Sequence, residues 1–157
     1  MKKCIRYSLI IMLCTICNNS YSQIVSLKPF VIVNDTITAM LNRVFSDDKG
    51  AYNNRKISIG VSKNDSITYV TVSIANRKGL YINKQSGFRP LGYVKYSENT
   101  IFIEPSMNDY VLSSKELPCL TIPLKAEIPT VDDVEEWHFT INRNQMKAYF
   151  VDHIAAW

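Results

Sequence analysis

Two histidines, and one cysteine beyond the N-terminal region, are the residues best suited to covalent or acid–base chemistry. A nucleophilic cysteine needs a nearby base and surroundings that lower its pKa. Cys119 would have to use His138 or His153, but it lies between Pro118 and Leu120 in an apolar run. That setting is typical of a buried thiol. We therefore predict that Cys119 is buried and unreactive and that the chain has no catalytic residue.

Metal and phosphate sites have characteristic spacings that this sequence lacks. His138 and His153 stand 15 positions apart (153 − 138), which matches neither a zinc finger nor a His-x-x-x-His helix pair. The acidic run 132–136 lacks the glycine and the alternating oxygen ligands of a calcium loop. Residues 23–157 contain neither Gly-x-Gly nor Gly-Lys-Ser/Thr. We predict no metal and no cofactor.

The segment 1–22 has the pattern of a secretory signal peptide. Its positive residues are Lys2, Lys3 and Arg6. The apolar run 7–17 is too short to cross a bilayer as a helix, and Ser20 and Ser22 supply small residues just before Gln23. We predict cleavage before Gln23 and export across the inner membrane, to the periplasm or the medium.

A lipoprotein leader is the alternative, because Cys14 and Cys17 lie in this segment. A lipobox has a small residue immediately before its cysteine, whereas Leu13 and Ile16 occupy those positions. No later run approaches the roughly 20 apolar residues that a membrane-spanning helix needs. The pattern therefore favours an exported chain without a transmembrane segment.

Removing the leader changes the charge balance. The whole chain has 18 Lys+Arg and 14 Asp+Glu, and three of the positive residues but none of the negative ones lie in 1–22. Residues 23–157 therefore carry 15 positive and 14 negative side chains, which is no electrostatic signature of nucleic-acid binding. Only Cys119 remains in them, so no internal disulfide forms. Their length is enough for the core of a single globular α+β domain.

One segment, 35–46, has the spacing of an amphipathic helix, and Asn34 or Asp35 can cap its first turn. Its apolar stripe consists of Ile37, Met40, Leu41, Val44 and Phe45. Three later segments alternate apolar and polar residues as hairpins do. They are 56–76, 91–104 and 136–152. This order predicts the α+β class, with a single N-terminal helix packed on a curved, mainly antiparallel sheet of successive hairpins.

Each hairpin has four turn-forming residues between its strands, which sets a predicted register. The register pairs Ile59 with Val70, Val94 with Ile103 and Phe139 with Ala148. These pairs place the strongest apolar residues of all three hairpins on one inner face, which covers the helix. The segment 24–33 is predicted to form one bent edge strand, because Pro29 is tolerated at an edge.

The opposite faces of the hairpins then combine into one outer surface. Its candidate partner-binding residues are Tyr69, Tyr93, Phe102, His138 and Tyr149. Tyrosine among small hydroxyl side chains offers rigid contact area with adaptable hydrogen bonding. The alternatives are cross-strand aromatic packing that only strengthens the sheet, or a cover formed by the segment 118–129.

Two short patterns resemble the Asp-Ser/Thr-apolar sequon that one large group of Gram-negative bacteria uses for O-glycosylation of exported proteins. They are Asp35-Thr36-Ile37 and Asp65-Ser66-Ile67, with Thr36 and Ser66 as the acceptors. A helix cap at Asp35 and a turn at Asp65 explain the same residues without modification.

An export signal, a complete core pattern and no assembled reactive group together favour a non-catalytic binding module. Its partner would be a protein, a peptide or a glycan. A small-ligand carrier with a pocket between helix and sheet is one alternative. A hydrolase whose site is assembled from dispersed residues is the other, and it would need a histidine near a thiol or carboxylate in a cleft.

Overall fold

The computed structural model describes residues 23–46, 52, 54–64, 67–84, 86–125, 134–142 and 147–154. In chain order its elements are β1 (Gln23–Leu27), β2 (Phe30–Ile32), α1 (Asp35–Ser46), β3 (Arg55–Asn64), β4 (Ile67–Lys78), β5 (Ile82–Asn83), β6 (Gly92–Tyr96), β7 (Asn99–Ile103), a 3-10 helix (Pro105–Tyr110), β8 (Val111–Ser113), β9 (Leu120–Lys125), β10 (Val134–Asn142) and β11 (Lys147–Ile154). The predicted leader lies outside the described residues. No helix within them combines the length and apolar character needed to cross a membrane.

The helix α1 forms where its apolar spacing predicts it. Asn34 is the capping residue, since its Oδ1 accepts a hydrogen bond from the Ile37 amide at 3.1 Å. All five members of the apolar stripe are buried. Arg43 lies in the last turn, where a positive charge interacts favourably with the helix dipole.

A six-stranded sheet covers the apolar stripe of α1. Its order is β11-β10-β4-β3-β7-β6, and neighbouring strands are antiparallel except β3 and β7. The inward side chains of the sheet form one core with the helix stripe. Those that are buried are Ile57, Ile59, Val70, Val72, Ile74, Val94, Ile101, Ile103, Phe139 and Ile141.

The predicted strand pairings are wrong by two residues in all three hairpins, although the predicted faces are correct. The observed partners are Val72 for Ile59, Ile101 for Val94 and Phe150 for Phe139. Pairing continues to Asn64 opposite Ile67 and to Tyr96 opposite Asn99, so these turns are shorter than predicted. A shift of two preserves the face because side chains alternate with period two.

The described residues form three sheets, so the α+β class with antiparallel sheets is confirmed and the single sheet is not. The strands β1, β9 and β5 form a three-stranded sheet, and β2 pairs with β8. The predicted edge strand 24–33 therefore divides at Lys28-Pro29, with each half entering a different sheet. Lys28 and Pro29 instead contact β6 beside the division, through the Tyr93 amide and a bridge to Tyr93.

The three-stranded sheet covers the outer face of β6 and β7 and forms a second core. This core consists of Leu27, Ile82, Tyr93, Phe102 and Ile122. Tyr93 and Phe102 are 3% and 0% exposed, so the prediction that they face a partner is wrong. The segment 118–129 was the predicted alternative cover, and its strand β9 forms part of the cover observed.

Cys119 is exposed, which corrects the prediction of a buried thiol. It immediately precedes β9, where side chains alternate between the second core and solvent. Ile122 is buried and Thr121 is exposed, so alternation places Cys119 on the same side as Thr121. The apolar neighbours of Cys119 reflect the inward positions of β9 and not its own environment.

Candidate functional site

The outward side chains of β4, β10 and β11 form a surface that none of the described elements covers, which we call the open face. Its central members are Tyr69, Thr71, Ser73, Glu136, His138, Thr140, Tyr149 and Asp152, and the exposed Ile67 and Ile154 lie at its two ends. The register arranges the two central rows as Tyr69–Thr140–Tyr149 and Thr71–His138–Asp152. The rows on either side of them are Ile67–Asn142–Lys147 and Ser73–Glu136–Ile154.

The first row consists of two tyrosines on either side of a threonine. Tyr69 and Tyr149 are both register partners of Thr140, from opposite sides. They are 40% and 48% exposed. Adjacent strands lie about 4.8 Å apart, so the two tyrosine backbones are separated by about 9.6 Å. The row therefore presents two aromatic rings to solvent with a short polar side chain between them.

The second row is centred on His138, which lies between two carboxylates. Its Nδ1 is 2.6 Å from Asp152 Oδ1, and its Nε2 is 3.2 Å from Glu136 Oε2. The other oxygen of Glu136 accepts a hydrogen bond from the Ser73 hydroxyl at 3.4 Å. A neutral imidazole can donate to one of these carboxylates only, whereas an imidazolium donates to both. The row is a connected network of hydrogen-bonding groups across β4, β10 and β11.

This network differs from a nucleophile–base pair. In a serine or cysteine hydrolase one ring nitrogen contacts a carboxylate and the other contacts the nucleophile. Both nitrogens of His138 contact carboxylates here, and the Ser73 hydroxyl contacts Glu136. Asp152 lies close enough to His138 to meet part of the condition for a hydrolase, but its side chain is 54% exposed on an edge strand and not in a cleft.

His153 lies on the opposite face of the sheet. Its ring stacks on Trp137 with centroids 4.1 Å apart, and its Nε2 is 2.7 Å from Glu135 Oε1. The Tyr52 hydroxyl reaches the same Glu135 oxygen at 3.4 Å. These contacts join the end of β11 to β10, so His153 stabilises the edge strand.

Glu104 was not predicted as a site residue, and it lies where the open face meets the covered part of the sheet. Its carboxylate occupies the space that a Cβ on Gly60 would fill. Burial raises the pKa of the Glu104 carboxyl, and the positive charge of Lys56 lowers it by a smaller amount. The sequence signal was Gly60, because a glycine inside a strand often marks a close approach by another group.

The described residues contain no group of three or more His, Cys, Asp or Glu side chains that could hold a metal ion. Between α1 and the sheet lies a cleft of about 150 Å³, lined by Ala39, Met40, Arg43, Phe139 and Phe150. Ligand pockets usually measure about 300–1,000 Å³. This cleft is therefore small for the predicted carrier.

Of the two predicted glycosylation acceptors, only Thr36 lies within the described residues. Thr36 is half-buried in the first turn of α1, beside the Asn34 cap. Ser66 lies outside the described residues. Modification of either hydroxyl stays a prediction.

The structure brings together Tyr69, His138 and Tyr149 on the open face and places Tyr93 and Phe102 under the second sheet. Comparison with known protein families, with curated proteins and with solved structures finds no match to this chain. A function for this chain is therefore inferred below from the geometry of the open face.

Proposed function

We propose that this protein is an exported, non-catalytic binding module that contacts its partner through the open face. The partner is a protein, a peptide or a glycan. Nucleic acid is not proposed, because residues 23–157 have nearly balanced charge and the open face carries carboxylates.

The tyrosine row is the observation that carries this proposal. The exposed tyrosines flank Thr140 on a sheet surface that the described residues leave uncovered. Tyrosine supplies large contact area at low conformational-entropy cost and retains a hydroxyl for hydrogen bonding. The adjacent row adds carboxylate and imidazole groups that can fix the orientation of a partner. Aromatic residues are enriched at the centres of protein interfaces, and polar residues surround them.

A peptide array and a glycan array test the proposal directly. The wild-type protein is compared with the double variant Tyr69→Ala/Tyr149→Ala on both arrays. We expect saturable signals from the wild type that fall about tenfold or more in the double variant, as expected when two contact tyrosines are removed.

The control is the double variant Val31→Ala/Leu112→Ala, which removes two exposed apolar side chains from β2 and β8. Val31 and Leu112 are register partners and are 44% and 61% exposed. The control should retain the array signals and the far-ultraviolet circular dichroism of the wild type. Signals that are equal in both double variants, or no saturable signal at all, would contradict binding through the tyrosine row.

Export has a separate test. Cleavage before Gln23 would leave β1 complete, because that strand begins at Gln23. Intact mass spectrometry of the exported protein should give the mass of residues 23–157. A diacylglyceryl cysteine at the N-terminus would show that the leader is that of a lipoprotein.

A further inference from the structure

The cleft between α1 and the sheet has the form of a small binding site that the proposed function does not use. Met40 and Phe139, each 2% exposed, form its deep end, and Ala39, Arg43 and Phe150 surround its opening. Phe139 and Phe150 face the helix, so the cleft and the open face lie on opposite sides of the sheet. We infer that the cleft binds a small carboxylic acid whose apolar part is about the size of a benzene ring.

The volume of the cleft sets the size of its ligand. The cleft measures about 150 Å³. A cavity of about this volume that is lined by leucine, isoleucine and phenylalanine binds benzene, so one ring fits although a larger cofactor does not. Apart from Arg43, the lining side chains are apolar. The part of the ligand that enters the cleft must therefore be apolar too, because a buried polar group would find no side-chain partner there.

The sequence of α1 places a cation beside this apolar space. Ala39 and Arg43 are four residues apart and so are neighbours along one side of the helix. The side chain of Ala39 is a single methyl group, which leaves room between α1 and the Phe150 ring. Met40 belongs to the buried stripe and closes the inner end. The helix therefore contributes both the space for an apolar group and the charge at its opening.

The Arg43 guanidinium is available to a carboxylate. Its Cζ lies 4.2 Å from the centroid of the Phe150 ring. A guanidinium has five N–H donors, and an attraction to the face of one ring leaves most of them for other partners. Among the described residues no carboxylate contacts Arg43. A bound carboxylate can accept two parallel hydrogen bonds from this group while its apolar part lies in the cleft.

Charge complementarity favours an acid over a neutral or cationic ligand. A neutral ligand of the same shape would fill the cleft but leave the charge of Arg43 uncompensated, and a cationic ligand would be repelled by it. Arg43 lies in the last turn of α1, where the helix carries a partial negative charge that does not itself attract an anion. Binding of the acid must therefore depend on the guanidinium of Arg43.

Titration of the ¹⁵N-labelled protein, followed by NMR, tests the inference with three matched ligands. Phenylacetate has both the ring and the charge, phenylacetamide has the ring without the charge, and acetate has the charge without the ring. We expect phenylacetate to shift the amide resonances of the residues that line the cleft, with a dissociation constant of about 1 mM. Phenylacetamide should bind about fivefold more weakly, and acetate more than about tenfold more weakly.

Protein variants locate the effect. Arg43→Gln should weaken the binding of phenylacetate about fivefold and leave that of phenylacetamide nearly unchanged. The matched control is Arg89→Gln, which removes the same charge from an exposed position between β5 and β6. Ala39→Leu fills the opening and should weaken the binding of phenylacetate tenfold or more, about the loss expected when an apolar ring is excluded. Ala39→Ser keeps the space and should bind as the wild type does.

Each alternative outcome overturns a stated part of the inference. Phenylacetamide bound as tightly as phenylacetate, or equal losses in Arg43→Gln and Arg89→Gln, would overturn the carboxylic acid as the ligand. Saturable shifts only outside the cleft, or unchanged binding in Ala39→Leu when its circular dichroism matches the wild type, would overturn the site. No saturable shift with phenylacetate would overturn both. The double variant Tyr69→Ala/Tyr149→Ala should bind phenylacetate normally, so this test and the array test of the open face fail independently.

Discussion

The outer face of the six-stranded sheet has two halves that resemble each other in sequence and differ in environment. In the covered half, Tyr93 and Phe102 are 3% and 0% exposed. In the open half, Tyr69 and Tyr149 are 40% and 48% exposed. All four occupy outward positions in strands whose side chains alternate between the two faces of the sheet. An aromatic residue at such a position is therefore compatible with either a core or a binding surface.

The difference arises from segments that are distant in sequence. The strands β1, β5 and β9 contribute Leu27, Ile82 and Ile122 to the cover over Tyr93 and Phe102. In the described residues no comparable apolar set lies over β4, β10 and β11. Whether an outward aromatic side chain is buried or exposed is decided here by long-range packing and not by its neighbours along the chain.

The largest expected difference between the halves is in the stability that is lost when an aromatic side chain is removed. Phe102→Ala should lower the free energy of unfolding by about 3–5 kcal/mol, because it removes a fully buried ring and leaves a cavity. Tyr69→Ala should change it by less than about 1 kcal/mol, since that side chain is 40% exposed. Urea denaturation of both variants measures the two values.

A similar loss in both variants would remove the distinction between the halves. It would mean that Tyr69 is held in a core-like environment and is not available to a partner. The m-values of the two denaturation curves should match that of the wild type, so that the midpoints report stability alone.

The second prediction concerns the close contact between Gly92 of β6 and the segment that joins β1 to β2. A Cβ on Gly92 would overlap the Lys28 carbonyl and the Phe30 ring. The same carbonyl accepts a hydrogen bond from the Tyr93 amide at 2.9 Å, so it has little freedom to move. Gly92→Ala should therefore destabilise the protein by about 1–3 kcal/mol, as overpacking usually does.

Gly60→Ala is the matched control for Gly92→Ala. A Cβ on Gly60 would overlap the Glu104 carboxylate, which is the end of a flexible side chain that can swing away. Thermal unfolding should show a clearly smaller loss for Gly60→Ala. An equal or greater loss would show that the margin of the open face is packed as tightly as the contact between β2 and β6.

The elements with strong local periodicity could be predicted from the sequence. The stripe of α1 was correct at every position, and so were the inward positions of the three hairpins wherever their side chains are described. Strand register was not, because a shift of two residues retains the same alternation and only turn geometry distinguishes the options. In the β6–β7 hairpin Ser97 has a φ of 52°, in the left-handed region, which cannot be predicted from the residue type serine.

The candidate site was predictable only in part, for the same reason. Tyr69, His138 and Tyr149 lie on the predicted face, and their rows follow from the register. Tyr93 and Phe102 also lie on the predicted outer face. Their half of that face is covered by a sheet whose β1–β9 pairing joins residues about a hundred positions apart. Such long-range pairing leaves no local pattern, because each strand alternates in the same way whichever partner it has.

The third prediction compares two tyrosine hydroxyls. In the covered half the Tyr93 hydroxyl donates to the Pro118 carbonyl at 2.6 Å. Tyr93→Phe should lower the free energy of unfolding by about 1 kcal/mol, the usual net value of one such hydrogen bond. Tyr69→Phe should be closer to neutral. Parallel urea denaturation curves measure both, and a larger loss in Tyr69→Phe would contradict the comparison.

The smallest effect is expected at Glu104, where the two halves meet. Burial raises the pKa of its carboxyl in the folded protein, and the opposing charge of Lys56 only reduces that rise. The folded state therefore binds this proton more tightly than the unfolded state, whose glutamate pKa is about 4.3. The contribution to stability is present below that pH, is lost as the pH rises through the raised folded pKa, and is absent at neutral pH.

Glu104→Gln removes this titration while keeping the shape of the side chain. We expect the variant to melt about 2 °C above the wild type at pH 7, a small shift because the carboxyl is only half-buried and solvent screens its charge. The advantage should shrink as the pH falls through the raised folded pKa and should disappear well below about 4.3, where the wild-type carboxyl is protonated in both states. Glu116→Gln provides the background for an exposed glutamate. A variant that is less stable than the wild type at pH 7 would show that the Glu104 carboxylate is favoured at the boundary. An advantage that stays constant with pH would show that it does not come from the titration of Glu104.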